Sequence, residues 1–163
     1  MLVVLFAVVI YTDFRWLRIP NVVTYPAMLI GLVLGALEAF PGALLGAGLV
    51  DHGAGLLLAF AFAYPFYAAG GLKAGDAKLL MAMGALRGTN FLLVAAVYGA
   101  LLGGLIAVGL IATRRLLRPA GGAEANTMSR IMKSTMPYGV ALGLGGLLAL
   151  ALDVGGVIKV GAV

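Results

Sequence analysis

Two of the six acidic residues, Asp13 and Asp76, stand where apolar stretches meet short polar segments. Ionisable side chains at membrane depth are costly, so by default they indicate function. Two carboxylates brought close together cannot both ionise easily, so one takes up a proton while the other stays charged. Such a pair can do general acid and base work on a water molecule that attacks a peptide carbonyl. The alternative is that each acid is an ordinary interfacial carboxylate, paired with Arg15 or Lys78.

The neighbours of Asp76 favour the catalytic interpretation. Gly75 precedes it, and glycine permits both a positive φ and the close approach of another backbone. A peptide substrate needs such room to lie extended across an acid. Lys78 places a positive charge near the site, although an anchor at the positively charged side of the membrane explains it equally well.

Other hydrolytic chemistries find little support. The chain has no cysteine, which excludes disulfides and thiolate-bound zinc or iron–sulfur centres. His52 is the single histidine, and the sequence His-Glu-x-x-His of zinc peptidases is absent. His52 is expected near the opposite membrane face from Ser129 and Ser134, so a Ser–His dyad is not expected. We therefore expect no metal and no cofactor, and we expect Asp51 and His52 to form an outer-loop feature.

The composition predicts an integral membrane protein. Apolar residues make up 63% of the 163-residue chain and charged residues 10%, against about 45–50% and about 25% in soluble domains. A span takes about 20 residues, so we expect a single all-α domain over residues 1–163, a polytopic membrane protein with about six transmembrane helices. In a membrane protein the basic residues behind the net charge of +5 indicate orientation in the membrane. No nucleic-acid partner is expected.

The six spans are separated by glycine, proline and charged residues. Pro20 disfavours helical geometry in the residue before it, and Asn21 is suited to cap the next helix. The predicted spans cover residues 1–13, 22–40, from 42–53 to 69, 76–88, 90–113 and 137–152.

The basic residues predict the orientation. Nine lie on the side that holds loops 14–19, 70–75 and 114–136, and two, Arg87 and Lys159, lie on the other. By the positive-inside rule the first side is cytoplasmic. Asp13 and Asp76 both fall at this side, whereas Glu38, Asp51 and Asp153 lie toward the opposite one.

Three segments together resemble the type IV prepilin peptidases. Residues 13–21, DFRWLRIPN, resemble a first motif in which an aspartate is followed by basic residues and Ile-Pro-Asn. Residues 74–80, AGDAKLL, resemble a second motif in which Gly-x-Gly-Asp leads into x-Lys-Leu at the head of the fourth helix. Residues 136–141, MPYGVA, resemble the Pro-Tyr-Gly segment that opens the last helix. The three occur in the family's order on a matching layout.

The resemblance implies an aspartyl peptidase with Asp13 and Asp76 as the catalytic pair. Its expected activity is removal of the N-terminal leader of prepilins or pseudopilins at the cytoplasmic face of the plasma membrane, the inner membrane of the cell. The substrate and the lipid bilayer are the expected partners, and self-association is left open. Residues expected to support the site or bind substrate are Gly75, Lys78, Pro20, Asn21 and Lys73.

Two features depart from the larger members of this family. Lys73 replaces the first glycine of Gly-x-Gly-Asp, which affects the expected loop geometry. The chain also has neither cysteines nor a zinc-binding extension, so it is similar to the short peptidases of Flp/Tad-type pili and to archaeal preflagellin peptidases. We expect no N-methyltransferase activity. The alternatives are a non-catalytic membrane subunit of a pilus or secretion system and a small transporter.

Overall fold

A computed structural model describes residues 2–38, 47–116 and 138–157 of the chain. All regular secondary structure in these ranges is helical, which confirms the predicted all-α class. The helices are α1 (Leu2–Trp16), α2 (Asn21–Glu38), α3 (Ala47–Ala68), α4 (Ala74–Leu116) and α5 (Tyr138–Val154).

Helix α4 is two helical segments joined at Gly88. Its 43 residues would measure about 65 Å as one straight helix, about twice the hydrocarbon thickness of a bilayer. Gly88 instead adopts φ 76° and ψ −171°, a conformation essentially confined to glycine. The break falls between the spans predicted over residues 76–88 and 90–113.

Within the described ranges, three helical stretches are long and apolar enough to cross a membrane: Asn21–Glu38, Gly48–Ala68 and Ala74–Leu110. Tyr138–Val154 is a shorter apolar helix. Six crossings remain a prediction. The basic residues Arg118, Arg130, Lys133 and Lys159 lie outside the described residues.

The helices pack through small residues. Helix α4 contacts α2, α3 and α5, and α1 packs against α5. A methyl group added at Gly31 would overlap the backbone of Ala85, and one added at Gly55 would overlap the backbone of Gly84. Such positions let membrane helices approach closely, so α4 forms the centre of the bundle.

Helix α1 extends through Trp16, three residues beyond the predicted span 1–13, so Asp13 lies within its last turn. The helix ends there because the next residue, Leu17, has a left-handed φ of 53°.

His52 lies inside α3 and is buried, so it is not an outer-loop residue. Its Nδ1 lies 3.0 Å from the carbonyl oxygen of Gly31 and 2.7 Å from that of Ala85. Its Nε2 faces the carboxylate of Glu38 at 3.6 Å. The imidazole thus joins α2, α3 and α4. Its burial is tolerated because both ring nitrogens have polar partners.

Candidate active site

Asp76 lies in the first turn of α4, and its side chain is 1% exposed. The carbonyl oxygen of Lys73 accepts the N–H groups of Asp76 and Ala77 at 3.1 and 3.2 Å. In return, the N–H of Lys73 donates to Oδ2 of Asp76 at 3.3 Å. A carboxylate at the third helical position that binds the capping residue's N–H is one half of a capping box. The local fold therefore fixes the position of this acid.

Asp13 is equally buried, at 1% exposure, and meets the start of a different helix. Its Oδ2 accepts a hydrogen bond of 3.1 Å from the N–H of Val140, the third residue of α5. The first N–H groups of a helix have no partner within the helix, and a negative charge there is stabilised by the helix dipole. Both acids are thus held by backbone N–H groups at helix N-termini.

Ile19 packs against Gly75 and Gly139, the glycines beside the two acids. A Cβ at Gly75, the neighbour of Asp76, would lie 3.1 Å from Cβ of Ile19. A Cβ at Gly139 would lie 2.8 Å from Oδ2 of Asp13 and 2.9 Å from Cδ1 of Ile19. The carboxylates of Asp13 and Asp76 interact electrostatically with each other. The structure therefore brings together the two acids that lie 63 positions apart in the sequence.

Neither acid forms an ion pair within the described ranges. Arg15 is exposed, and Lys78 donates from Nζ to Oδ1 of Asn21 at 2.9 Å instead. The charge of Lys73 does act on Asp76 electrostatically. In these parts of the chain each carboxylate accepts one hydrogen bond, which leaves its second oxygen for water or a peptide.

Pro20, Asn21 and Lys78 form no hydrogen bond to either acid in the described chain. The carbonyl oxygen of Pro20 accepts the N–H groups of Val23 and Thr24 at 3.1 and 3.4 Å, which starts α2. The side chain of Asn21 accepts a hydrogen bond from Lys78 instead of capping the N-terminus of α2 as we expected. The ammonium of Lys78 also lies 4.9 Å from the ring centroid of Tyr25. These contacts join the first turns of α2 and α4.

Gly139 and Val140 were not predicted as site residues. Their contribution is the absence of a side chain at Gly139 and the backbone N–H of Val140. Residues 136–141 resemble a Pro-Tyr-Gly segment, but no residue type there indicates a contact with Asp13. Within the described ranges, no group of three or more His, Cys, Asp or Glu side chains is suited to hold a metal ion.

Comparison with known proteins adds one match. Residues 1–108 match the model of the type IV leader peptidase family. This range includes both acids and α1 to α3 with most of α4. No match was found among curated proteins or among solved structures.

Proposed function

The chain belongs to the type IV leader peptidase family, and from that premise we propose that it is a membrane aspartyl endopeptidase. Its proposed substrates are type IV prepilins or pseudopilins, from which it removes the N-terminal leader. The observation that supports this most is the pair of buried, mutually interacting carboxylates of Asp13 and Asp76. Within the described residues no ion pair neutralises them.

The proposed reaction uses both acids on one water molecule. One carboxylate accepts a proton from the water as its oxygen attacks the peptide carbonyl carbon. The other, in its acid form, donates a hydrogen bond to the carbonyl oxygen. Collapse of the tetrahedral intermediate breaks the C–N bond while a proton passes to the leaving amine. The N–H groups of Lys73 and Val140 hold the two carboxylates in place before the substrate arrives.

The proposed location is the plasma membrane, with the acids toward the cytoplasm. The nine-to-two distribution of basic residues supports this orientation. The absence of cysteine from these 163 residues supports leader cleavage without methylation of the product. The absence of a side chain at Gly75 lets Ile19 pack closely against the backbone beside Asp76.

Exchange of the acids tests the proposal. Asp13→Asn and Asp76→Asn keep an oxygen that can accept the N–H of Val140 or Lys73, so both variants should fold and insert. Each should lower cleavage of a prepilin reporter by purified protein in detergent by about 10²–10⁴-fold. Asp51→Asn is the matched control, because Oδ1 of Asp51 accepts the N–H of Thr89 at 3.1 Å and an amide oxygen does the same. This control should cleave within about twofold of the wild-type rate, since Asp51 lies away from the acids.

Cleavage at the wild-type rate by either active-site variant would rule out the two-acid mechanism. A purified wild-type protein that assembles in membranes but cleaves no prepilin would favour the non-catalytic subunit.

A further inference from the structure

Asp13 is the last of three residues on α1 whose side chains face α5. Phe6, Ile10 and Asp13 follow the spacing i, i+4 and i+7, so they lie along one face of the helix. Phe6 is fully buried, and Ile10 is half-buried. Among the described helices, α5 is the one against which α1 packs most extensively. The carboxylate of Asp13 therefore shares its face of α1 with two large apolar side chains.

The two apolar side chains each fill the space that a glycine of α5 leaves open. A Cβ at Gly146 would overlap the ring of Phe6 and lie 2.6 Å from its Cε1. A Cβ at Gly143 would lie 2.7 Å from Cγ1 of Ile10 and 3.8 Å from the carbonyl oxygen of Phe6. Carbon atoms in contact are normally about 3.5–4.0 Å apart. Helix α1 can therefore lie this close to α5 only because both positions lack a side chain.

The third contact of this interface holds the acid. Gly139 faces the carboxylate of Asp13, and the next residue, Val140, donates its N–H to Oδ2 at 3.1 Å. Gly139, Gly143 and Gly146 also have the spacing i, i+4 and i+7, so they share one face of α5. The two helices thus run antiparallel with three contacts in register. A tilt of α1 at the two apolar contacts would move the carboxylate relative to the N–H of Val140.

Helix α5 in turn connects α1 to the helix that carries the other acid. A Cβ at Gly145 would overlap the backbone of Gly99, in the second segment of α4. Asp76 lies in the first turn of the same helix. The position of Asp13 relative to Asp76 thus depends on two successive close contacts, one between α4 and α5 and one between α5 and α1.

We propose that Phe6 and Ile10 are positioning residues for Asp13. By filling the two glycine positions of α5, they fix how deeply α1 lies in the bundle, and with it the distance of its carboxylate from Asp76. A displacement of about 1 Å at a reacting group can cost about 10²-fold in rate, so a small change at either contact is measurable in kcat. This inference rests on the proposed function and adds to it two side chains that act through Asp13.

Gly143→Ala tests the inference by pushing Ile10 away from α5. The χ1 angle of a β-branched residue in a helix is nearly fixed, so Cγ1 of Ile10 gives way only if α1 moves. We expect kcat for a prepilin reporter to fall at least about tenfold. The value of KM should stay within about threefold, because the contact acts on a reacting group and not on substrate binding. Gly146→Ala, which pushes on the ring of Phe6, should have the same effect.

Gly35→Ala is the matched control at a helix contact away from α1. Its added Cβ would lie 2.7 Å from Cγ of the buried His52, the same overlap as between Gly143→Ala and Ile10. The control should lower the Tm in detergent by a similar amount. Its kcat should stay within about twofold of the wild-type value, because the contact between α2 and α3 does not position either acid.

Relief of the overlap separates positioning from a general loss of stability. Ile10→Ala removes the atoms that the methyl group of Gly143→Ala would meet, and Phe6→Leu removes the ring atoms that the methyl group of Gly146→Ala would meet. In the Ile10→Ala background, Gly143→Ala should therefore lower kcat by no more than about threefold. Gly146→Ala should behave in the same way in the Phe6→Leu background.

A wild-type kcat in folded Gly143→Ala or Gly146→Ala would overturn the inference. So would a loss of kcat that persists in both double variants, or an equal loss in Gly35→Ala, because either would show that helix packing in general limits the reaction. These results leave cleavage by the wild-type protein, and with it the proposed function, in place. If the wild-type protein cleaves no reporter at all, both proposals fail.

Discussion

The acidic residues at the two ends of the helix bundle have different partners. Val140, which binds Asp13, and Asp153 lie 13 positions apart on α5, or about 20 Å along the helix axis. At the far end Asp153 pairs with Arg87, Glu38 faces His52, and Asp51 accepts the N–H of Thr89. At the near end Asp13 and Asp76 interact electrostatically with each other, and each accepts one backbone N–H.

The difference separates structural acids from candidate catalytic ones. The Arg87–Asp153 pair ties α4 to α5 through opposite charges. Asp13 and Asp76 differ from Asp51 because each has a second carboxylate within electrostatic range, and a neighbour of like charge favours a shared proton. Perturbation of the two ends should therefore affect different properties, with activity at the near end and stability at the far end.

The largest contrast is expected from Gly139→Ala. Its new methyl group would lie 2.8 Å from Oδ2 of Asp13, closer than van der Waals contact allows, so the carboxylate must move. Displacement of about 1 Å can cost about 10²-fold in rate, measured as kcat with a prepilin reporter. Gly53→Ala is the control, because nothing lies within 4 Å of its added Cβ. Equal rates for the two variants would show that the position of Asp13 is not critical.

Arg87→Met should affect stability instead. It leaves Asp153 without its guanidinium partner, which we expect to lower the free energy of unfolding by about 1–3 kcal/mol. A lower Tm in detergent should accompany a cleavage rate within about twofold of wild type at temperatures below unfolding. The double variant Arg87→Met with Asp153→Leu should recover part of the loss. A tenfold loss of activity in the folded single variant would break the distinction between the two ends.

The smallest effect is expected from Lys78→Met. Lys78 joins the first turns of α2 and α4 through an exposed hydrogen bond to Asn21, and such contacts contribute about 0.5–1 kcal/mol. We expect kcat/KM to fall no more than about fivefold. Asn21→Ala should have no larger effect, and adding it to Lys78→Met should lower kcat/KM no further, because Lys78→Met already removes the hydrogen bond between the two residues. A loss as large as that of Asp76→Asn would place Lys78 at the reacting groups.

Much of this contrast was visible in the sequence. Apolar runs, Pro20 and the charge distribution predicted the order of the helical segments, and the positions of Asp13 and Asp76 placed both acids toward one side. These features depend on residues near each other in the chain. The break at Gly88 falls where the sequence already indicated a boundary between two segments.

Contacts between distant segments were not visible in the same way. The hydrogen bond between Asp13 and Val140 spans 127 positions and uses a backbone N–H, which every residue except proline possesses. The burial of His52 depends on carbonyl oxygens of α2 and α4 that no residue type reveals. These contacts depend on how the helices pack, and several helix arrangements are compatible with the same pattern of apolar residues.

The reciprocal bonds between Lys73 and Asp76 couple electrostatics to backbone order. A neutral carboxyl group accepts a weaker hydrogen bond than a carboxylate, so protonation of Asp76 would weaken its hydrogen bond from the N–H of Lys73. Proton transfer during the proposed reaction would thus change the order of the backbone at the start of α4. The amide hydrogens of Lys73 and Val140 are consequently internal reporters, whose NMR resonances sense which acid holds the negative charge.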